Sequence, residues 1–424
     1  MSDSKSLTIK ILLAIALGLL FGIFLKNLIP ILSVSAGSFI SEYVVKGFLV
    51  IGGNLFINLM KLLIVPLVLF SIISGVLSVE NLSELRSIGG RALIYYILTT
   101  FIALCFAISF ALFFQPGVGV SFNGEINQTI DLSQSISFVD TISALVPSNI
   151  FSALANADML QIIIFALILG IAVSQMKNET GERLKQFFLD CNELAGKLTA
   201  IIMSLMPYGV FCLISKFVFL FEVELLTSVL KYNLVLLFTL FFHWIVFYSL
   251  FLFLMTGLNP IFFFKKLKSL MIVGFSTSSS SATIPVSLVT SKNLGVDHKV
   301  SSFVIPLGAT INMDGTAIMQ GVATVFIAQI FQIDLTLFDL LTVVLTATLA
   351  SIGTAGIPAV GLITLAMVLQ QVGIPIEGIA LVIGFDRLLD MIRTVVNITG
   401  DIMVSVVVAK QNKLLDVKRY SASE

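Results

Sequence analysis

Six apolar runs dominate this chain of 424 residues, near 8 to 29, 44 to 77, 89 to 114, 157 to 176, 191 to 220 and 227 to 256. A helix crosses the roughly 30 Å hydrocarbon layer of a bilayer with about 20 apolar residues, so each run is long enough to span. Backbone amides and carbonyls find no water there and must bond within the segment, which makes such runs helical. Those that exceed the minimum imply tilt or projection past the bilayer. Only 11% of the residues are charged, against about 25% in soluble domains. The expected fold class is an all-α polytopic membrane protein.

Lys and Arg together number 24, and so do Asp and Glu. With no net field and its basic residues scattered at loop ends, the chain is not built to bind nucleic acid. Cys105, Cys191 and Cys212 lie far apart in apolar context, and His243 and His298 form no cluster with them. All five read as packing or loop residues, with no disulfide frame and no transition-metal site. The run from Ile9 to Ile29 is longer than a signal-peptide core and no small-residue cleavage site follows it, so it reads as a retained first transmembrane helix. Basic residues such as Arg86, Arg91, Lys177, Arg183, Lys265 and Lys410 flank alternate ends of the runs, while the polar stretch from Gln115 to Asn149 has almost none. The positive-inside rule then places both termini, and the loops 78 to 91, 177 to 187 and 257 to 268, in the cytoplasm of a cell-membrane protein.

The second half breaks this pattern. Apolar segments 262 to 285 and 337 to 372 are interrupted at mid-length by FSTSSSSATIP and SIGTAGIPAVG. Irregular backbone at membrane depth survives only where protein buries it or it lines an aqueous cavity. Two broken segments at matching places in a repeated unit point to a transporter binding site. Each is followed by a helix carrying polar residues, 300 to 329 with GATINMDGT and 378 to 408 with GFDRLLDMIRTVVNITGD. Broken segment and polar helix thus alternate twice, an internal repeat of architecture.

On the last of these helices Asp386, Asp390, Arg393, Asn397 and Asp401 fall within an arc of roughly 80°, at about 100° per residue. Ionisable residues at membrane depth are expensive and mark functional sites, so the stripe faces protein, water or a ligand. Arg393 offers a rigid fork to a carboxylate and Asp390 an anion to an ammonium. An internal Asp390 to Arg393 salt bridge accounts for the same pair without a ligand, and Asp386 and Arg387 fit an interfacial position at the helix start. In NMDGT, Asn312, Asp314 and Thr316 gather an amide oxygen, a carboxylate and a hydroxyl beside Gly308 and Gly315, whose backbone freedom permits unwinding. Such hard donors suit a small hard cation, or a polar knot that satisfies itself. Tyr96, Thr99 and Thr100 add oxygens on the third run. Ser278 to Ser281, followed by Thr283 and Pro285, read either as a helix-packing patch or as the tip of a re-entrant hairpin that receives a carboxylate. A nucleophilic serine would need a partner and a G-x-S-x-G elbow, neither of which occurs, so no enzyme is expected.

In the order SSSSATIP, GATINMDGT, SIGTAGIPAVG and DRLLDMIRTVVNITGD, these motifs resemble the dicarboxylate/amino acid:cation symporter family, the glutamate transporter homologues, over nearly the whole chain. The resemblance implies eight transmembrane helices plus two re-entrant helical hairpins, in a homotrimer set in membrane lipid. It implies a trimerisation scaffold from 1–85 and 139–225, and a transport domain from 86–115 and 226–424. The transport domain would hold hairpin 1 at about 259–290, helix 7 at about 296–329, hairpin 2 at about 336–373 and helix 8 at about 376–416. It would move substrate across as a rigid body, with hairpin 2 as its gate.

By position, the resemblance implies substrate contacts at Ser280, Ser281, Thr316, Ile357, Gly361, Asp390, Arg393, Thr394 and Asn397. Asp390 would take the amino group and Arg393 the side-chain carboxylate. Sodium sites are implied at Asp401 with carbonyls of Gly308, Asn312 and Asn397, at Tyr96, Thr99, Thr100, Asn312 and Asp314, and at carbonyls around Thr310, Ser351, Ile352 and Thr354. Members commonly carry a second arginine in the first hairpin or just after the aspartate matching Asp390. Here Ser278 and Met391 stand at those places, and Arg387 is the nearby candidate to replace it. The function implied is uptake of L-glutamate or L-aspartate with Na+ as coupling ion and no other cofactor. The alternative is a proton-coupled glutamate or C4-dicarboxylate symporter.

Overall fold

A computed structural model describes residues 2–77, 88–119, 146–156, 158–220, 223–352 and 360–422. Among them every regular element is helical, and one isolated bridge pairs Val296 with Leu415. The first half contributes α1 (Ser2–Leu28), α2 (Val34–Leu77), α3 (Gly90–Phe114), α4 (Met159–Gln175), α5 (Glu179–Ser204) and α6 (Met206–Leu220). The run expected at 191 to 220 is not one straight span, because α5 and α6 meet at a bend of 48°. Pro207 lies just past the bend; its missing N–H and its ring against the preceding turn end one helix and start the next.

The second half begins with α7 (Val223–Phe241), a π-helical segment (Phe242–Phe247) and α8 (Tyr248–Thr256). Next come α9 (Lys268–Thr277) and α10 (Ser280–Asn293), packed on each other and joined by Ser278, in the left-handed region at φ 51°, and Ser279. The Ser279 hydroxyl accepts from the Ala282 amide and caps α10. Then follow α11 (His298–Ile311), α12 (Asp314–Ile330), α13 (Leu337–Ile352), α14 (Val360–Gln371) and α15 (Ile379–Gln411). Most of the interruption SIGTAGIPAVG, including Thr354 and Ile357, lies outside the described residues, as does most of the stretch from Gln115 to Asn149.

Helices α1, α2, α4, α5 and α6 pack on one another, while α3, α7, α9 to α11, α13 and α14 surround α12 and α15. The apolar window of α15 is 89% buried, that of α1 only 35%. Leu13, Leu17, Leu20 and Phe24 of α1 and Leu55 and Leu62 of α2 point outward, as suits helices bathed in acyl chains. Lipid removes most of the hydrophobic drive between helices, so association rests on close packing and polar contacts. Those polar contacts concentrate on α12 and α15.

Outside the spans, the C-terminal tail is strapped to the ends of α10 and α11. Asp416 N–H donates to Gly295 O (2.8 Å) and Asp297 N–H to Leu414 O (3.0 Å). Tyr420, fully buried in the short helix Val417–Ser421, donates to Asn259 O at 3.0 Å. Burial pushes its phenol above the ordinary tyrosine value.

Candidate functional site

The site begins where a helix fails. Asn312, with φ −93° and ψ 95°, and Met313, with φ −122° and ψ 46°, leave the helical region between α11 and α12. The unwinding expected at NMDGT is present, and it puts Asp314 at the positive end of the 17-residue α12, where a carboxylate is favoured. Thr100 Oγ1 donates to Asp314 Oδ1 at 2.6 Å, and Tyr248 Oη donates to Oδ2 at 2.8 Å. His243 Nε2 lies 3.2 Å from the same Oδ2. Asn312 turns its Nδ2 to Asp401 Oδ1 (2.9 Å) and to Asn397 O (3.2 Å), and the Gly315 amide donates to Asn397 Oδ1 at 2.7 Å.

Two glycines hold this cluster close. A methyl group at Gly308 would stand 2.5 Å from Asp401 Oδ1 and 2.6 Å from Tyr96 Oη, so those two groups meet over the bare α-carbon. A methyl at Gly400 would lie 2.6 Å from both Asn312 Nδ2 and Tyr248 Oη. The expected residues Tyr96, Thr100, Gly308, Asn312, Asp314, Asn397 and Asp401 are therefore brought together, with Asn312, expected in both sets, between them. The hydroxyls of Thr99, Thr310 and Ser351 donate to carbonyls of their own helices, Tyr96 O, Leu307 O and Thr348 O. Ile352 is the last residue of α13.

Asp314 and Asp401 are 0% and 1% exposed. Among the described residues neither has a lysine or arginine within ion-pair distance. The Asn312 Oδ1 is buried with no donor. Two buried carboxylates and an orphaned amide oxygen make this an acceptor-rich pocket, and burying charge without compensation is costly.

One to three turns away on α15 the balance is different. Arg393 Nη2 reaches Asp386 Oδ1 at 2.7 Å and Asp390 Oδ1 at 2.9 Å, while Arg387 Nη1 lies 3.7 Å from Asp390 Oδ2. Two acids and two bases neutralise one another, and all four are buried. The internal Asp390 to Arg393 bridge exists, and Arg387 brings a second guanidinium within 3.7 Å of Asp390. Asp386 and Arg387 are 2% and 4% exposed, because neighbouring helices cover this end of α15. Arg393 keeps Nε and Nη1 without an acceptor. A methyl at Gly361 would sit 3.5 Å from that Nη1, 3.2 Å from Thr316 Cγ2 and 3.0 Å from Met319 Cε, so the start of α14, the first turns of α12 and the guanidinium converge.

Thr394 donates to Asp390 O (2.8 Å), and Asn397 Nδ2 lies 3.5 Å from Thr316 Oγ1. Ser280 is buried and Ser281 exposed on the first turn of α10, which packs on α15, and the Ser278 hydroxyl is buried without a partner.

His243 is the site residue the sequence does not single out. It is a packing residue, fully buried on Phe247, that also reaches Asp314. In a π turn residue i+5 stands over residue i, whereas on an α-helix five residues are about 140° apart. The π segment therefore aims His243 and Tyr248 at one carboxylate, and HWIVFY carries no signal of it. Asp386 shares the polar arc of Asp390 and Arg393, but the motifs do not place it among the substrate contacts.

Apolar outer helices around a charge-lined interior, with a broken helix and a serine turn at its edge, define an integral membrane transporter. A family model, the sodium:dicarboxylate symporter family, matches residues 7–411, and the chain belongs to that family. It is 36% identical to the proton/sodium-glutamate symport protein of Geobacillus stearothermophilus over 366 residues, 84% of this chain and 86% of the relative. It is 33% identical to the proton/glutamate-aspartate symporter of Escherichia coli (strain K12) over 428 residues, 99% of this chain and 96% of the relative. Identity to excitatory amino acid transporter 3 of Homo sapiens is 32% over 442 residues, 90% and 84% respectively.

Proposed function

We propose that this protein is a secondary active symporter that takes up L-glutamate or L-aspartate together with Na+. One observation carries the reading: the buried polar stripe of α15 has a charge-balanced half and an unbalanced half. At the balanced half, Arg393 retains free N–H donors for a side-chain carboxylate, and Asp390 is the acceptor for an ammonium once it parts from Arg393. Gly361, Thr316, Thr394, Asn397 and the serine turn with Ser280 and Ser281 complete the substrate pocket, with backbone near Ile357. At the unbalanced half, Asp314, Asp401, Asn312 Oδ1, Tyr96, Thr100 and carbonyls at Gly308 and Asn397 take the cation. An orphaned amide oxygen beside two carboxylates is the kind of hard acceptor a metal cation would use.

The cation both cancels buried negative charge and drives inward movement, since each net positive charge gains roughly 2.3 kcal/mol per 100 mV. The tight packing among α1, α2, α4, α5 and α6 supports a scaffold from 1–85 and 139–225 that trimerises in the cell membrane with both termini cytoplasmic. The remaining helices support a moving domain, its two re-entrant hairpins being α9 with α10 and α13 with α14, the second acting as gate. A ligand shifts such an equilibrium only by its differential affinity for the two states.

Proteoliposomes with labelled L-aspartate or L-glutamate test this, with sodium, proton and substrate gradients set separately. Accumulation driven by an inward sodium gradient is expected. Uptake that needs a proton gradient and ignores sodium would refute the coupling, and better competition by succinate than by L-glutamate would refute the substrate.

A further inference from the structure

We infer that Asp386, one turn before Asp390, is the positioning residue that holds the Arg393 fork ready for substrate. Three observations converge. Asp386 is 2% exposed and makes the shortest ion pair of the group, 2.7 Å to Arg393 Nη2 against 2.9 Å for Asp390. Both aspartates hold the same nitrogen, so Nε and Nη1 stay bare, and Nη1 is the side that faces Gly361 and Thr316. Asp390 already has a second cation in Arg387, whereas the other oxygen of Asp386 has no partner.

The proposal rests on the acidic amino acid reading above. In that reading Asp390 must release Arg393 to accept an ammonium. A guanidinium held by Asp390 alone would then lose its only tether at the moment it has to bind a carboxylate. With Asp386 on Nη2 the fork keeps its orientation, and the negative charge it needs, through the exchange. Substrate thus displaces one of two tethers, and Asp386 decides which one stays. Asp386 touches no substrate in this scheme; it acts through Arg393, and it favours substrates whose side chain ends in a carboxylate.

The test compares wild type, Asp386→Asn and Asp386→Glu in proteoliposomes, reading KM and kcat for L-aspartate and inhibition of that uptake by L-serine. Asp386→Asn keeps the shape but weakens a charge-assisted bond, so the KM for L-aspartate should rise roughly tenfold to a hundredfold. kcat should change by only a few-fold, L-serine inhibition should be unchanged, and Asp386→Glu should recover part of the KM. Equal loss for aspartate and serine, or a KM at the wild-type value, overturns the positioning role while leaving the transport reading intact. Wild-type protein that takes up no acidic amino acid overturns that reading instead, and this role with it. Should Asp386→Asn fail to assemble, the double variant Asp386→Asn with Arg393→Ala is compared with Arg393→Ala in detergent by size exclusion and thermal stability. The double variant should be the more stable, because it no longer buries an unpaired carboxylate; an equal or lower stability overturns the pairing.

Discussion

Adding one carbon at Gly308 should uncouple this transporter from its cation. In Gly308→Ala the new methyl would stand 2.5 Å from Asp401 Oδ1 and 2.6 Å from Tyr96 Oη, about an ångström inside ordinary contact. Neither group can step aside freely. Asp401 is held by Asn312 Nδ2 at 2.9 Å, and the Tyr96 hydroxyl is committed to Val304 O at 2.9 Å. Overpacking of this kind costs about 1 to 3 kcal/mol. If it falls on the cation-bound state, sodium affinity drops roughly five- to 150-fold, at tenfold per 1.4 kcal/mol. The chain supplies its own probe, because its one tryptophan, Trp244, donates to Thr399 Oγ1 at 3.0 Å, two residues before Asp401 on α15. A sodium titration followed by Trp244 fluorescence, repeated as sodium-dependent aspartate uptake, reads the shift twice. Gly196→Ala is the control, since nothing lies within 4 Å of its new methyl. A Gly308→Ala protein with the wild-type sodium midpoint in both assays would refute the placement of a cation between Asp401 and Tyr96.

Other consequences are as direct. Arg393→Cys removes the guanidinium that lies beside Gly361, and uptake of acidic amino acids should fall at least a hundredfold while small neutral amino acids become substrates, as labelled L-serine uptake would show. Thr100→Val deletes the 2.6 Å bond to Asp314; at about 1.5 to 3 kcal/mol for a bond to a charged group, the sodium midpoint should rise roughly tenfold or more. The strap at Tyr420 should be sensitive to alkali. Its phenol is raised by burial, so the neutral form is favoured when docked, and its contribution is complete below the unfolded value of about 10 and is lost as pH rises beyond it. Thermal melts of wild type and Tyr420→Phe should run in parallel at neutral pH and converge or cross in strong alkali.

What the sequence revealed follows from how local each signal is. Apolar length exposed the spans, and the unwinding at Asn312 and Met313 was written in the letters NMDGT, because glycine and polar residues in an apolar run have few other uses. The polar arc of α15 was legible from periodicity alone, and the burial of Asp386 through Asp401 agrees with it. Partnerships were not legible. Thr100 meets Asp314 and Asn312 meets Asp401 across 214 and 89 residues of chain, and no spacing rule relates residues on different helices. The contact of His243 with Asp314 was not legible because a π segment, which the letters do not announce, aligns it with Tyr248. Which helices cover Asp386 was not legible either, because helix position says where a residue lies along a span, and says nothing of what covers it.

The distance between Thr100 and Asp314 also has a consequence in time. A ribosome adds roughly 5 to 20 residues per second, so α3 waits on the order of 10 to 40 seconds before its partner 214 residues later is made. Through that interval Thr99 can bond back to Tyr96 O, but the Tyr96 and Thr100 hydroxyls lack their final acceptors. An early helix carrying such groups into lipid is a helix that the insertion machinery, or a neighbouring nascent segment, has to shelter until the last third of the chain arrives.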